Sequence, residues 1–287
     1  MQLTHIRYLD VAEPLASGQP FLSAASGLVQ IGEILCVVGD DEQHLAVFNQ
    51  NDEAPGRLIR LLPGDLPRKK KPRKKVKPDF EIVFQLPDSA LLCAMGSGST
   101  PQRMRGAIID IDSGVVTLLD LQPLFGALAP LATEINLEGA VVRGDRLLLF
   151  NRGNMQNPET CIFETPLRAV AGDEPAQITL VKTLALPLID GVPLTVTDAC
   201  SLDDGHILLS AVAEVTDDSY ADGAILGAAI ILLEPNLDVV MMEPLEPICK
   251  IEGISARRTA TGAELLCVSD ADDPDMPSSL FSATLDF

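Results

Sequence analysis

Aromatic residues are scarce in this chain of 287 residues, which has no tryptophan, two tyrosines and nine phenylalanines. Sugar sites often stack their ligand on aromatic rings, so this scarcity disfavours a carbohydrate-binding protein. The sequence signatures of WD40 and kelch repeats are absent as well. The only histidines are His5, His44 and His206, and these are the side chains that most readily exchange protons near neutral pH.

Long apolar runs, cysteine pairs and catalytic signatures are also missing. No stretch approaches 18 consecutive apolar residues, which argues against a membrane span. The N-terminus contains an acid and no apolar segment of the signal-peptide type, so we expect a cytoplasmic protein. The six cysteines include no CxxC pair, and we interpret them as structural residues. No GxSxG, HExxH or Walker A motif is present, so no motif identifies an enzyme class.

Positive charge is also in short supply, with 21 lysines and arginines against 41 acids and a net charge of −20. Phosphate neutralisation dominates nucleic-acid affinity, so this balance disfavours a general nucleic-acid binder. The exception is residues 68–77, RKKKPRKKVK, which contain eight of the basic residues. We interpret this stretch as a long solvated loop that offsets nearby acids. A contact with phosphate or with a partner protein is the alternative.

What the chain does contain is a repeat. Five segments share a β-run, a turn and a second hydrophobic run, and their first residues lie 54 to 60 positions apart. Those first residues are Ser26, Glu81, Glu138, Asp198 and Glu252. Two further runs rich in Val, Ile and Leu follow in the first four repeats, with Gly, Asp, Pro or Asn between them. A period of this size with four strands per repeat is typical of a β-propeller.

Strand count predicts an all-β fold, a single β-propeller domain over residues 1–287 with five four-stranded blades. The fifth repeat supplies only three strands, and Gln2 to Val11 can provide the fourth. An N-terminal strand in the last blade would close the ring and remove an exposed sheet edge. Six blades, with one irregular blade merged into its neighbours, is the alternative. We expect a monomer.

Acidic residues occur at equivalent places in this arrangement. In a four-stranded blade the first strand lines the central channel, so the repeat starts converge at one channel mouth. Four carboxylates there repel strongly, since two unit charges 6 Å apart cost roughly 3 kcal/mol at an effective dielectric of 20. Oxygen ligands favour Ca²⁺ or Mg²⁺. The predicted metal ligands are Glu81, Glu138, Asp198 and Glu252; capping of backbone N–H groups between blades is the alternative role.

We expect polar residues at the ends of the second strands and in nearby loops to surround these four carboxylates. We predict that they bind the substrate; the set comprises Asp41, Arg103, Arg105, Arg152, Asn154, Glu214, Asp217, Asp218 and Asp272. Asp270 or His44 is the predicted catalytic base. Neither acidic loop matches the EF-hand spacing.

Several segments together are similar to a family of uncharacterised bacterial propeller proteins: KPDFE, GSGSTPQRMRG, NLEGAVVRGDRLLLFNRGN, TDDSYADG and KIEGISA. This resemblance covers nearly the whole chain and implies the fold, but no activity. More distantly, the repeat starts and the five-fold count resemble those of calcium-activated nucleotidases (apyrases). Those propellers hold Ca²⁺ in the central channel and hydrolyse nucleoside diphosphates, and propeller lactonases and phytases also use calcium near the channel mouth.

Two functions remain open. The first is a Ca²⁺-dependent hydrolase acting on a small anionic substrate, a phosphate ester or a lactone, at the channel mouth. The second is a non-catalytic propeller that binds a ligand or a protein partner through its polar face.

Overall fold

The predicted runs of Val, Ile and Leu form strands, because these side chains pack well on a sheet. Glycine, proline and aspartate between the runs form the turns that end each strand. A computed structural model describes residues 1–216 and 223–287 and shows five antiparallel sheets arranged as a five-bladed β-propeller. The five-blade prediction is therefore confirmed. In the described residues no helix is both long and apolar enough to cross a membrane.

The strands follow the blades in chain order. The N-terminal strand is β1 (Thr4–Tyr8). Blade 1 contains β2 (Ala25–Ile31), β3 (Ile34–Gly39), β4 (His44–Asn49) and β5 (Arg57–Arg60). Blade 2 contains β6 (Phe80–Gln85), β7 (Leu91–Gly96), β8 (Arg105–Asp110) and β9 (Val116–Asp120). Blade 3 contains β10 (Leu137–Arg143), β11 (Arg146–Asn151), β12 (Thr160–Pro166) and β13 (Thr179–Leu184).

Blade 4 has one extra short strand and consists of β14 (Leu188–Ile189), β15 (Val192–Ser201), β16 (Ile207–Val215), β17 (Ala224–Leu233) and β18 (Val239–Pro244). Blade 5 contains β19 (Lys250–Arg258), β20 (Gly262–Asp270) and β21 (Ser279–Asp286). Two short α-helices connect blades, α1 (Lys70–Lys74) and α2 (Gln122–Leu128). Single 3-10 turns occupy Pro101–Arg103, Ala129–Leu131 and Leu167–Ala169.

The ring closes through the N-terminal strand, as the sequence predicts. Strand β1 pairs antiparallel with β21, and Thr4 and Tyr8 lie opposite Ser282 and Ser279. Blade 5 thereby gains its fourth strand. Strand β1 covers the edge of β21 and becomes the outermost strand of the last blade.

The apolar core lies between the blades. Five buried clusters each join side chains of two neighbouring blades, so every pair of successive blades packs face to face. Cys36, Cys93 and Cys267 are fully buried in these clusters with free thiols, which agrees with their interpretation as structural residues. Burial raises the pKa of each of these thiols to about 12, so they are weak nucleophiles.

Each innermost strand is irregular at the same height. The pairing of the first and second strands shifts register between Ala25 and Leu28 in blade 1, and the equivalent shifts lie at Phe80/Ile82, Leu137/Gly139, Val196/Asp198 and Ile251/Gly253. A β-bulge leaves a residue out of the ladder and re-aims its side chain. Three of the skipped residues are Glu81, Glu138 and Glu252, so the bulges set the direction of the glutamates.

Glycine follows two of these glutamates because neighbouring inner strands approach closely. A Cβ atom on Gly253 would lie 2.5 Å from the carbonyl oxygen of Ser26, and one on Gly139 would lie 2.7 Å from the amide nitrogen of Ala199. Contacts this short require backbone movement. The Glu-Gly pairs in the sequence therefore mark places where successive blades touch around the channel.

We expect Gly253→Ala to lower the free energy of unfolding by about 1–3 kcal/mol, the usual cost of overpacking. Each kcal/mol corresponds to a fall in Tm of about 2–4 °C for a chain of this size class. Gly126→Ala is the matched control, because a Cβ atom there meets no heavy atom within 4 Å and alanine favours the helix by up to about 1 kcal/mol. Equal Tm values for both variants in thermal unfolding would contradict the close-approach explanation.

Candidate functional site at the channel mouth

Three of the predicted metal ligands converge. Glu81, Glu138 and Glu252 each offer one carboxylate oxygen, and the three atoms lie within 4.8 Å of one another. All three side chains are buried and line one cavity at the channel mouth. This acidic trio, Glu81, Glu138 and Glu252, comes from the first strands of blades 2, 3 and 5.

Glu81 is the least compensated of the three, because the charge of Lys77 acts on it only without direct contact. Its side chain is 9% exposed, and among the described residues it has no hydrogen bond and no ion pair. Burial and the neighbouring Glu138 raise the pKa of Glu81 well above its ordinary value. A carboxylate in this position is costly unless a ligand supplies positive charge or a proton neutralises it.

The other two glutamates are partly compensated. Asn136 Nδ2 donates to Glu138 Oε1 over 2.6 Å, and Arg152 Nη1 lies 3.4 Å from the same oxygen. Burial nevertheless raises the pKa of Glu138 to about 8. Lys250 Nζ lies 3.1 Å from Glu252 Oε1, and burial outweighs this ammonium so that the pKa of Glu252 is also raised. Compensation by protein cations is therefore incomplete across the trio.

Asp198 lies outside this group. It is one residue beyond the position in the fourth repeat that corresponds to the glutamates of the other repeats. The register shift in blade 4 falls between Val196 and Asp198, so Thr197 occupies the place that glutamates hold in other blades. Asp198 accepts hydrogen bonds from the amide of Ala199 at 2.7 Å and of Ile254 at 2.8 Å. It joins blade 4 to blade 5, which is the capping role that the sequence left open.

Two buried cations, Lys77 and Arg103, and two largely buried ones, Arg152 and Lys250, surround the trio. Lys77 contacts Asp40 and lies 3.1 Å from Asp79 Oδ1. Arg103 Nη1 lies 2.7 Å from Asp79 Oδ2. The other pairs join Arg152 Nη2 to Glu214 Oε2 at 2.5 Å, and Lys250 Nζ to Asp272 Oδ1 at 3.1 Å. Burial opposes the charge on both lysines, but the adjacent carboxylates hold the pKa of Lys77 and Lys250 well above the ordinary value.

The basic segment, residues 68–77, is more than a solvated loop. It contains helix α1, and Arg73 and Lys77 are only 2% and 5% exposed. Arg73 Nη2 lies 3.3 Å from Asp41 Oδ2, and Lys77 Nζ lies 3.3 Å from Asp41 Oδ1. The expected offset of nearby acids is present, but the segment provides it by burying two of its cations beside the channel.

The remaining predicted residues divide between the mouth and other places. Five line the cavity itself: Arg103, Arg152, Asn154, Glu214 and Asp270. Asp41 and Asp272 border a second cavity that shares Asp40, Lys74, Lys77, Lys250 and Asp270 with the first. Burial raises the pKa of Asp270 well above its ordinary value. Asp217 and Asp218 lie outside the described residues.

Two predicted residues are not brought to the mouth. Arg105 begins β8 and is exposed, and it does not line the cavity. His44 begins β4 and borders a different cavity with Arg60 and Leu58. The third strand of a blade lies farther from the axis than the first two, so His44 cannot reach the trio. Burial also lowers the pKa of His44.

Sequence reasoning missed Asp79, Asn136 and Lys250, which line the cavity. Each precedes a glutamate of the trio by two residues. This constant spacing is the signal in the sequence that could have identified them. Lys77 also lines the cavity, but nothing in the sequence distinguishes it from the other lysines of the basic segment.

The described lining of the cavity carries seven carboxylates and five basic groups. The lining therefore has a formal excess of two negative charges, which one divalent cation would neutralise. The cavity has a volume of about 70 Å³, which has room for an ion and a few water molecules and is smaller than the roughly 300–1,000 Å³ of typical small-molecule sites. Oxygen ligands without histidine or cysteine suit Ca²⁺ or Mg²⁺.

We expect the chelator-treated protein to lose stability as pH rises from about 4.5 towards 8. The pKa of Glu138 is raised from 4.5 to about 8, so across this window the folded state holds a proton that the unfolded state releases. Stability then falls by about 1.4 kcal/mol per pH unit for each such group. Thermal unfolding at stepped pH tests this, and Glu138→Gln should flatten the slope. A wild-type Tm that rises over the window would refute the assignment.

The fold and the site together define a five-bladed propeller with an acidic trio and a ring of buried cations at its channel mouth. Residues 21–285 match the Family of unknown function (DUF6929), and the chain belongs to that family. A search of the curated proteins gives no match.

Solved structures share the fold at low identity. An exo-β-1,3-galactanase from Phanerochaete chrysosporium has a TM-score of 0.55 and 12% identity, covering 99% of this chain and 65% of that chain. An endo-arabinase from Bacteroides thetaiotaomicron has a TM-score of 0.51 and 11% identity, covering 98% of both chains. These likenesses show the fold alone. They do not show the resemblance to calcium-activated nucleotidases, nor a bacterial origin.

Proposed function

We propose that this protein is a hydrolase that binds a divalent cation at Glu81, Glu138 and Glu252 and acts on a small anionic substrate at the channel mouth. The observation that carries the proposal is Glu81, a buried carboxylate that forms no hydrogen bond or ion pair with a described residue and lies beside two further glutamates. Its desolvation is offset most simply by a bound cation. The excess of two negative charges in the lining supports the same ligand.

A cation in this place supplies Lewis acidity and a more acidic bound water. The chain's own residues then have defined tasks. Arg103 and Arg152 line the cavity and present positive charge to an anionic substrate. Asp270 also lines it, and because burial raises its pKa, its carboxylate is a stronger base than an ordinary aspartate. A phosphate ester or a lactone satisfies these requirements.

The galactanase and the arabinase act on carbohydrates, so a glycoside hydrolase is the natural comparison. The described lining has five basic side chains and no aromatic ring. These features favour an anion over a neutral sugar.

Calcium titration of chelator-treated protein tests the proposal. We expect about one equivalent to bind and to stabilise the fold by about 2.7 kcal/mol at a free concentration one hundred times Kd. Glu252→Gln should weaken both effects. No binding of either Ca²⁺ or Mg²⁺ to the wild type would overturn the metal site.

Turnover is then measured with and without chelator on p-nitrophenyl phosphate, bis(p-nitrophenyl) phosphate and dihydrocoumarin, with p-nitrophenyl β-galactoside as the neutral counter-screen. The proposal expects metal-dependent cleavage of at least one of the first three. Binding without turnover on any of them would favour the alternative, a propeller that binds an anionic ligand without catalysis.

A further inference from the structure

Glu81 belongs to two groups of carboxylates. Besides the acidic trio, Glu81 lies with Asp40 and Asp79 in a second set, whose three oxygens are again within 4.8 Å of one another. One side chain thus stands between two oxygen clusters in the same cavity. The second set consists of residues from the end of β3 and the start of β6.

The second set already holds a positive charge. The ammonium group of Lys77 contacts Asp40 and lies 3.1 Å from Asp79 Oδ1. The Lys77 side chain is only 6% exposed, so its ammonium group is buried beside these carboxylates and does not extend into solvent. Lys77 therefore occupies the position that a cation would take between these carboxylates.

Lysine does not use all the oxygens available there. Asp40 Oδ1 is buried with no hydrogen-bond partner. Glu81 forms no hydrogen bond or ion pair with a described residue, and Lys77 acts on it only through the longer-range electrostatic attraction. An ammonium group has three donors, whereas a divalent cation such as Ca²⁺ takes six to eight oxygen ligands. The surplus oxygens point to a site with more coordinating capacity than one amine fills.

We propose that the channel mouth contains two cation positions joined by Glu81, and that the Lys77 amine fills one while the divalent cation fills the other. This inference rests on the proposed function for the metal position only. Two positive centres that share a carboxylate attract one oxyanion between them, as in two-metal sites. The chemical class of the ligand is therefore a phosphate-like oxyanion.

Removing the amine tests the second position directly. Lys77→Ala removes the ammonium group from Asp40 and from Asp79 Oδ1, leaves Arg103 on Asp79 Oδ2, and opens space at the site. We expect calorimetry to show about two equivalents of Ca²⁺ where the wild type binds about one, with the Tm of the variant recovering in millimolar Ca²⁺. Lys77→Ala/Asp40→Asn is the control; it lacks one ligand and should bind about one equivalent.

Each result bears on a different proposal. One equivalent in both the wild type and Lys77→Ala overturns the second position and leaves the metal at the trio intact. No binding by the wild type but one equivalent by Lys77→Ala overturns the metal at the trio and supports the lysine position. No binding by either overturns both. A single variant that stays unfolded at every Ca²⁺ concentration, while the double variant folds, also overturns the second position.

Inorganic phosphate tests the oxyanion between the two centres. Lys77→Met fills the space with an apolar chain, so it should still bind Ca²⁺ at the trio. We expect phosphate binding to the Ca²⁺-loaded variant, measured by calorimetry, to be at least about tenfold weaker than to the Ca²⁺-loaded wild type, or about 1.4 kcal/mol. Equal phosphate affinity in both proteins would overturn the shared oxyanion site.

Discussion

Glu81→Gln will abolish the stabilisation by Ca²⁺ and will make the metal-free protein more stable. The glutamine side chain keeps the shape of glutamate but removes a buried negative charge that forms no ion pair with a described residue. We expect Ca²⁺ affinity to fall by more than about 100-fold, since loss of an outer-shell partner already costs 10–100-fold at metal sites. At a pH where Glu81 is ionised in the folded protein, the gain in free energy of unfolding without metal should be about 1.4 kcal/mol for each unit by which burial and Glu138 raise its pKa.

Glu42→Gln is the matched control for this variant. Glu42 is also buried, and burial raises its pKa to about 7, but it does not line the channel cavity. Its removal should raise the Tm of the metal-free protein without changing Ca²⁺ affinity. If Glu81→Gln retains wild-type affinity in calorimetry, the trio is not the metal site. If both variants lose affinity, the effect is not specific to the channel.

Arg152→Met will lower the free energy of unfolding by about 3–5 kcal/mol, the cost of leaving a buried charge without its partner. Arg152 Nη2 lies 2.5 Å from Glu214 Oε2, Nη1 lies 3.4 Å from Glu138 Oε1, and Nε donates to Thr195 Oγ1 over 3.2 Å. Burial opposes this charge, but Glu138 is the largest contributor holding the pKa of Arg152 above its ordinary value. Chemical denaturation measures the loss.

Arg146→Met provides the comparison, because Arg146 forms a similar 3.0 Å pair with Glu164 on a half-buried surface. Pairs of that kind contribute about 1 kcal/mol or less. Adding Glu214→Gln to Arg152→Met should recover part of the stability, since it removes one of the two unpaired acids. A loss at Arg152 no larger than that at Arg146 would show that the cation ring does not hold the channel together.

The blade count and ring closure could be read from the sequence because both rest on local periodicity. Runs of Val, Ile and Leu broken by turn residues repeat at nearly constant spacing, and a four-stranded blade is the unit that such spacing fits. Closure by β1 followed from counting strands, since the last repeat lacked one. The two short helices α1 and α2 were not foreseen, because each is too brief to set a helical period.

The channel site was only partly accessible to the same reasoning. Glu81, Glu138 and Glu252 open their repeats, so they share a height on the innermost strands. Asp198 looked equivalent but is displaced by one residue, and a shift of one residue turns a side chain to the other face of a strand. Thr197 takes the place instead. The position of a bulge depends on pairing between strands, which no single segment reveals.

The sequence by itself determined a five-bladed ring with acids at the inner strand starts, because strand periodicity and turn residues act over short distances. Only the tertiary structure decided which groups meet those acids. Lys77 and Arg73 belong to the basic segment but lie buried against Asp40, Asp41 and Asp79. His44 instead lies on β4, the third strand of blade 1, and borders a different cavity. Such pairings form when different blades approach, and their electrostatic energy depends on burial that exists only in the folded ring.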